Sequence, residues 1–175
     1  RDPEALAREV CLRLLTLAPR TRAQLAAALR KKGIPDEVAD GVLGRFTDVG
    51  LIDDAAFARA WVESRHYSRG LAGRALSAEL KQRGVAAEQI RAAIDEQLGP
   101  DAEVSAARCL VEAKLGSTRG LPPERRTRRL AGMLARKGYP AGLAFRVIRE
   151  ALEAEGDPGF PEDEPPFDEE DPSAE

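Results

Sequence analysis

Arg125, Arg126, Arg128 and Arg129 stand within five residues of one another, and Arg136 and Lys137 follow two helical turns later. Two smaller clusters precede them: Arg30, Lys31 and Lys32, then Lys81 and Arg83. Cations at this density meet phosphates or an acidic protein groove, and such binding weakens as salt rises. One cluster alone reads equally well as a solvated helix face. Three clusters at the same place in a repeated pattern describe a continuous basic strip. Other chemistry is thin. The adjacent carboxylates Asp53 and Asp54 could serve a metal-dependent nuclease, but a helix N-cap beside a first-turn charge explains them better. His66 is the only histidine, and Cys11 and Cys109 are far apart, so no metal-ligand spacing exists. The stretch "RGLAGRAL" lacks the strand and lysine of a phosphate-binding loop. We expect no enzyme, no cofactor and no metal.

The clusters belong to a phrase written three times: "LRKKGI" (29–34), "LKQRGV" (80–85) and "LARKGY" (134–139). Its glycines, Gly33, Gly84 and Gly138, are 51 and 54 residues apart, the interval of a supersecondary unit repeated in tandem. Each glycine suits the residue just past a helix end, where positive φ carries no Cβ penalty. The leucine four residues before it and the apolar residue after it then make the closing contact of a Schellman turn. Lys32, Arg83 and Lys137 each place a cation at the helix's negative end, worth about 0.3–1 kcal/mol.

Around the phrase, apolar residues recur every three to four positions, and no stretch alternates with period two. The pattern predicts an all-α chain of tandem three-helix repeats: three units, nine helices, over 4–52, 53–99 and 100–154. Hydrophobic residues make up 43% of the chain but aromatics only 5%, so each unit should have a thin aliphatic core. Phe57, Trp61, Tyr67 and Tyr139 are read as core or cap packing, and both cysteines as buried thiols. Charge is uneven. Up to Leu152 there are 27 basic and 19 acidic residues; from Glu153 onward there are 11 acidic residues and no basic one. Residues 155–175 are read as a disordered acidic tail that folds weakly back over the basic strip. No apolar run approaches a membrane span, and the cytoplasm is expected.

The stretch "GLIDDAAFARAWVESRHYSRGLAGRALSAELKQRGV" (50–85) resembles the signature of the RecX family of bacterial RecA regulators. Asp53, Asp54, Phe57, Arg65, Gly70, Leu80 and Gly84 are among the matching positions. "TRAQLAAALRKKGIPDEVADGVL" and "RRLAGMLARKGYPAGLAFRVI" are similar to its flanking units, and the idiom looks actinobacterial. The resemblance covers roughly residues 5–152. It implies an elongated, curved body bound in the groove of the RecA filament on single-stranded DNA. There it would limit filament growth, ATP hydrolysis and strand exchange. RecA is the implied partner, with weak direct DNA contact beside it, and a monomer is expected. A helix-turn-helix DNA-binding regulator is the main alternative, although 35–49 offers only Arg45 against four acids. A helical protein–protein scaffold is a third.

Overall fold

A computed structural model describes residues 2–156. Among them are nine α-helices and no strand: α1 (Pro3–Leu17), α2 (Arg22–Lys31), α3 (Asp36–Asp48), α4 (Asp54–Arg69), α5 (Gly73–Gln82), α6 (Ala87–Gln97), α7 (Pro100–Thr118), α8 (Pro123–Arg136) and α9 (Ala141–Ala154). Helix packs on helix in threes, α1–α3, α4–α6 and α7–α9. Each trio buries the apolar stripes of its helices in a core of its own. Leu25, Leu29, Leu43 and Phe46 centre the first core. Val62, Leu76, Leu80 and Ile90 centre the second, and Val111, Leu130, Leu134 and Ile148 the third. None of these helices is long and apolar enough to cross a membrane. The acidic segment expected to be disordered lies, from residue 157 onward, outside the described residues.

The triplicated phrase ends the middle helix of each unit as its spacing predicts. Gly33, Gly84 and Gly138 have φ of 76°, 81° and 93°. The amides of Ile34, Val85 and Tyr139 donate back to the carbonyls of Leu29, Leu80 and Leu134, each at 3.1 Å. The amides of Gly33, Gly84 and Gly138 donate to Arg30, Lys81 and Ala135 at 3.0 Å. These are the two bonds of a Schellman turn, and they satisfy carbonyls the helix itself leaves open.

The same turns also join the units. Thr21, the N-cap of α2, closes a capping box with Gln24, and its hydroxyl donates to the Arg83 carbonyl at 2.7 Å. One unit further on, the amide of Ala72, the N-cap of α5, donates to the Lys137 carbonyl at 2.9 Å. So the C-cap carbonyl of one middle helix bonds the N-cap residue of the middle helix before it, twice over. Asp54 adds to the first joint by accepting from the Arg22 amide at 2.9 Å. Glu103 accepts from the Gly73 amide at 2.8 Å in the second, where the Tyr139 hydroxyl donates to the Gly70 carbonyl at 2.6 Å. Burial pushes the Tyr139 phenol up to about 12, so it stays a donor.

Candidate functional site

Two joints, each from a C-cap carbonyl to an N-cap residue, link the end of α8 to the start of α5 and the end of α5 to the start of α2. Together the three helices hold 34 residues, a path of roughly 50 Å at the α-helical rise. Cations mark its stations. Arg125, Arg128 and Arg129 are exposed on α8, with Arg136 at its end. At the α8–α5 joint Lys137 meets the first turn of α5, which carries exposed Arg74. At the α5–α2 joint Lys81 and Arg83 meet the first turn of α2, and Arg30, Lys31 and Lys32 close the path, exposed.

On α8 the helical period puts Arg125, Arg128, Arg129 and Arg136 on one side, opposite Leu130 and Leu134. With Leu121, Arg125, Arg128 and Arg129 line an open cavity of about 480 Å³. A phosphate could be reached there by several guanidinium groups at once. Arg30 lies 3.8 Å from Asp36, but both side chains are about three-quarters exposed, so that pair holds neither in place.

Arg126 is a correction to the strip. It is 4% exposed. Its Nε donates to Thr118 Oγ1 at 3.0 Å, and its Nη2 to the Leu115 carbonyl at 3.3 Å and to Glu155 at 2.8 Å. A guanidinium spent on these partners cannot reach a phosphate. Arg83 and Lys137 are also partly committed. Arg83 stacks over the Trp61 ring at 3.9 Å and donates to the Glu79 carbonyl, while Lys137 Nζ donates to the Arg69 carbonyl.

The residues of the central signature serve structure. Asp53 caps α4 by accepting from the Ala56 amide at 3.0 Å. Phe57 stacks on Trp61 at 5.8 Å. Leu80 is buried in the second core, Gly70 ends α4, and Gly84 abuts Ala23. Arg65 pairs with Glu79 and lies 5.1 Å over Trp61, whose indole N–H also donates to Glu79. The Arg65 hydrogen bond, with help from Trp61, holds the Glu79 carboxyl below the usual carboxylate range against the upward pull of burial. A carboxyl depressed in the folded state stabilises above its unfolded value, about 4.3, and that stability is lost as pH falls through the lower folded one. The melting temperature should therefore drop as pH is taken from 5 to 3. Glu79→Gln should flatten that drop in a calorimetric pH series while lowering stability at pH 7.

Two other expectations are corrected. Tyr67, assigned to core packing, is 81% exposed. Cys109 is exposed, while Cys11 is buried and its thiol pushed up by burial. His66, by contrast, is buried, and its Nδ1 donates to the Leu71 carbonyl at 2.8 Å, which fixes the ring. Helix α3 buries Ala39, Val42, Leu43 and Phe46 and carries Asp36, Glu37, Asp40 and Asp48 against Arg45. That charge is wrong for a helix reading the major groove.

Comparison with known proteins agrees with this architecture unit by unit. Residues 7–46, 53–94 and 101–148 match the family descriptions "RecX, first three-helix domain", "RecX, second three-helix domain" and "RecX, third three-helix domain". The chain is similar to "Regulatory protein RecX" of Thermobifida fusca, 63% identical over 155 residues, covering 89% of this chain and 83% of the relative. It is 60% identical over 157 residues to the protein of that name from Streptomyces coelicolor, covering 90% and 83%. The crystal structure of RecX from Lactobacillus salivarius superposes with a TM-score of 0.79 at 17% identity, over 85% of this chain and 96% of that one. At that identity the likeness concerns the fold alone.

Proposed function

The chain belongs to the RecX family, and we propose that it is a negative modulator of the RecA recombinase. It lies as a monomer in the groove of the RecA filament on single-stranded DNA, where it limits filament growth, ATP hydrolysis and strand exchange. The observation that carries this reading is the twice-repeated joint between middle helices. It orders the cation-bearing middle helices end to end along a contour of roughly 50 Å, a form suited to following a long polyanionic assembly. The contacts are electrostatic and lie on exposed side chains, so affinity should fall steeply with salt.

The test is RecA ATPase on single-stranded DNA, titrated at several salt concentrations with the protein and with a variant carrying Arg125→Glu, Arg128→Glu and Arg129→Glu. Three lost charge-assisted contacts at about 1 kcal/mol or more apiece should raise the half-inhibiting concentration by about 100-fold or more. The salt slope should shrink by about 2 units, at roughly 0.7 per phosphate of a single strand. Circular dichroism should be unchanged, because these side chains are exposed and lie opposite Leu130 and Leu134. Undiminished inhibition by the variant would take α8 out of the interface.

A further inference from the structure

A cleft of about 710 Å³ opens where the second unit meets the third, within the range of roughly 300–1,000 Å³ that takes small-molecule-sized groups. The last turn of α4, from His66 to Gly70, forms one wall, and α7 from Ala102 to Leu110 another; Gln97 and Lys137 complete it. The chain carries 30 acidic residues, yet among the described residues lining this cleft none is acidic. Arg69 and Lys137 are its cations, and Ser68, Gln97 and Ser105 its neutral hydrogen-bonding groups. Lys137 Nζ spends one of its three N–H bonds on the Arg69 carbonyl, which leaves two to donate.

Tyr67 projects into this setting. The residue is 81% exposed, so its ring is largely open to a ligand. His66 meets it edge-on, with centroids 5.8 Å apart and planes at 73°, and His66 is itself anchored to Leu71. The wall behind is rigid, since Tyr139, Lys137 and Ala72 are hydrogen-bonded across the joint. A bare aromatic face beside cations and neutral donors, with no carboxylate among the lining residues, is the composition of a single-strand stacking platform.

We propose that this cleft takes one unstacked base of a single-stranded nucleic acid. The base stacks on Tyr67, and the flanking phosphates meet Arg69 and Lys137. The proposal rests on the filament reading in placing the protein beside single-stranded DNA, but the contact is made to the strand itself and needs no RecA.

The experiment is therefore run without RecA. Fluorescence anisotropy follows a short labelled oligothymidylate, and a duplex of equal length, with the full chain, Tyr67→Ala and Tyr67→Phe. Tyr67→Ala should weaken single-strand binding by about 5- to 150-fold, the loss expected for one stacked base. Its salt slope should be unchanged, because no charge is removed. Tyr67→Phe should bind like the unmodified chain, and duplex affinity should be equal for all three. Thermal melting checks that each exposed-site variant is folded. Single-strand affinity that is the same with and without the Tyr67 ring overturns the proposal, as does failure of the unmodified chain to bind the strand. Loss of RecA capture by Tyr67→Ala with strand affinity intact also overturns it and reassigns the cleft to a protein partner. Failure of the α8 reversal in the ATPase assay counts against the filament reading alone.

Discussion

Gly138→Ala is expected to destabilise the second and third units by about 2–5 kcal/mol. About 1–2 kcal/mol comes from placing a Cβ at φ 93°. A further amount of roughly 1–3 kcal/mol comes from overpacking, since that Cβ would sit 2.6 Å from the Ala75 amide nitrogen and 2.8 Å from its Cβ. Backbone is on the other side of this contact, so relief requires the two units to part. Parting breaks the bond from the Ala72 amide to the Lys137 carbonyl, and the Ala72 amide should lose hydrogen-exchange protection by NMR. Gly84→Ala should behave alike at the other joint, where its Cβ would overlap that of Ala23; the amide to watch is Arg22, bonded to Asp54. Gly33 supplies the control. It has the same positive φ, at 76°, but nothing within 4 Å of its ideal Cβ. Gly33→Ala should cost only the backbone term, about 1–2 kcal/mol. Equal melting temperatures for Gly33→Ala and Gly138→Ala would show that the glycine serves the turn and not the joint.

That series marks what was legible in the sequence. A Schellman turn is local: every group that defines it lies within six residues, so three copies of one phrase suffice to read it. The joint is not local. Arg83 finds its hydroxyl at Thr21, and Lys137 finds its amide at Ala72. An alanine that contributes only a backbone N–H leaves no mark in a string of side chains. The three basic clusters were legible in the sequence, but their order along the molecule followed only from the joints, which fix which helix end meets which. Arg74 completes the station at the α5 start, and its spacing of seven from Lys81 was the available signal.

The corrected residues share one cause. Helical phase, not residue type, decides which side of a helix a side chain occupies. In α4, Ala58, Val62 and His66 recur every four residues and are buried, so Tyr67 falls just beyond the stripe. In α7, Ala107, Val111 and Leu115 do the same and leave Cys109 outside it. Aromatic and thiol side chains are buried more often than not, and that general tendency misled where the phase was available. For Arg126 the tendency ran the other way. Its spacing of four from Leu130, and of eight from Leu134, placed it on the buried side of α8, although arginine is almost never buried unless paired.

Arg126→Ala should therefore act on stability where its neighbours act on binding. The side chain is 4% exposed and ties three partners together: Thr118 at the end of α7, the Leu115 carbonyl, and Glu155 just past α9. Removing one member of a buried ion pair costs about 3–5 kcal/mol. Here Glu155 keeps a bond to Arg119 at 2.9 Å and retains some access to solvent, which lowers the expected loss to about 2–3 kcal/mol. Arg129→Ala, one helical turn away and exposed, should stay within about 0.5 kcal/mol of the parent. Arg126→Lys should not restore the stability, because one ammonium cannot fork to a hydroxyl, a carbonyl and a carboxylate in these directions. The Arg126 and Glu155 pairing also carries an acid signature. Hydrogen bonds from Arg126 and then Arg119 hold the Glu155 carboxyl below the usual range, so the stability it lends is present above about pH 4.3 and lost as pH falls through its folded value. Arg126→Ala should weaken that acid-sensitive component in a urea series run at pH 7 and pH 3.5. In the RecA ATPase assay, held below the variant's melting range, Arg126→Ala should inhibit like the parent chain, and Arg129→Ala should inhibit less. Reversal of that order would place the buried guanidinium on the binding surface after all.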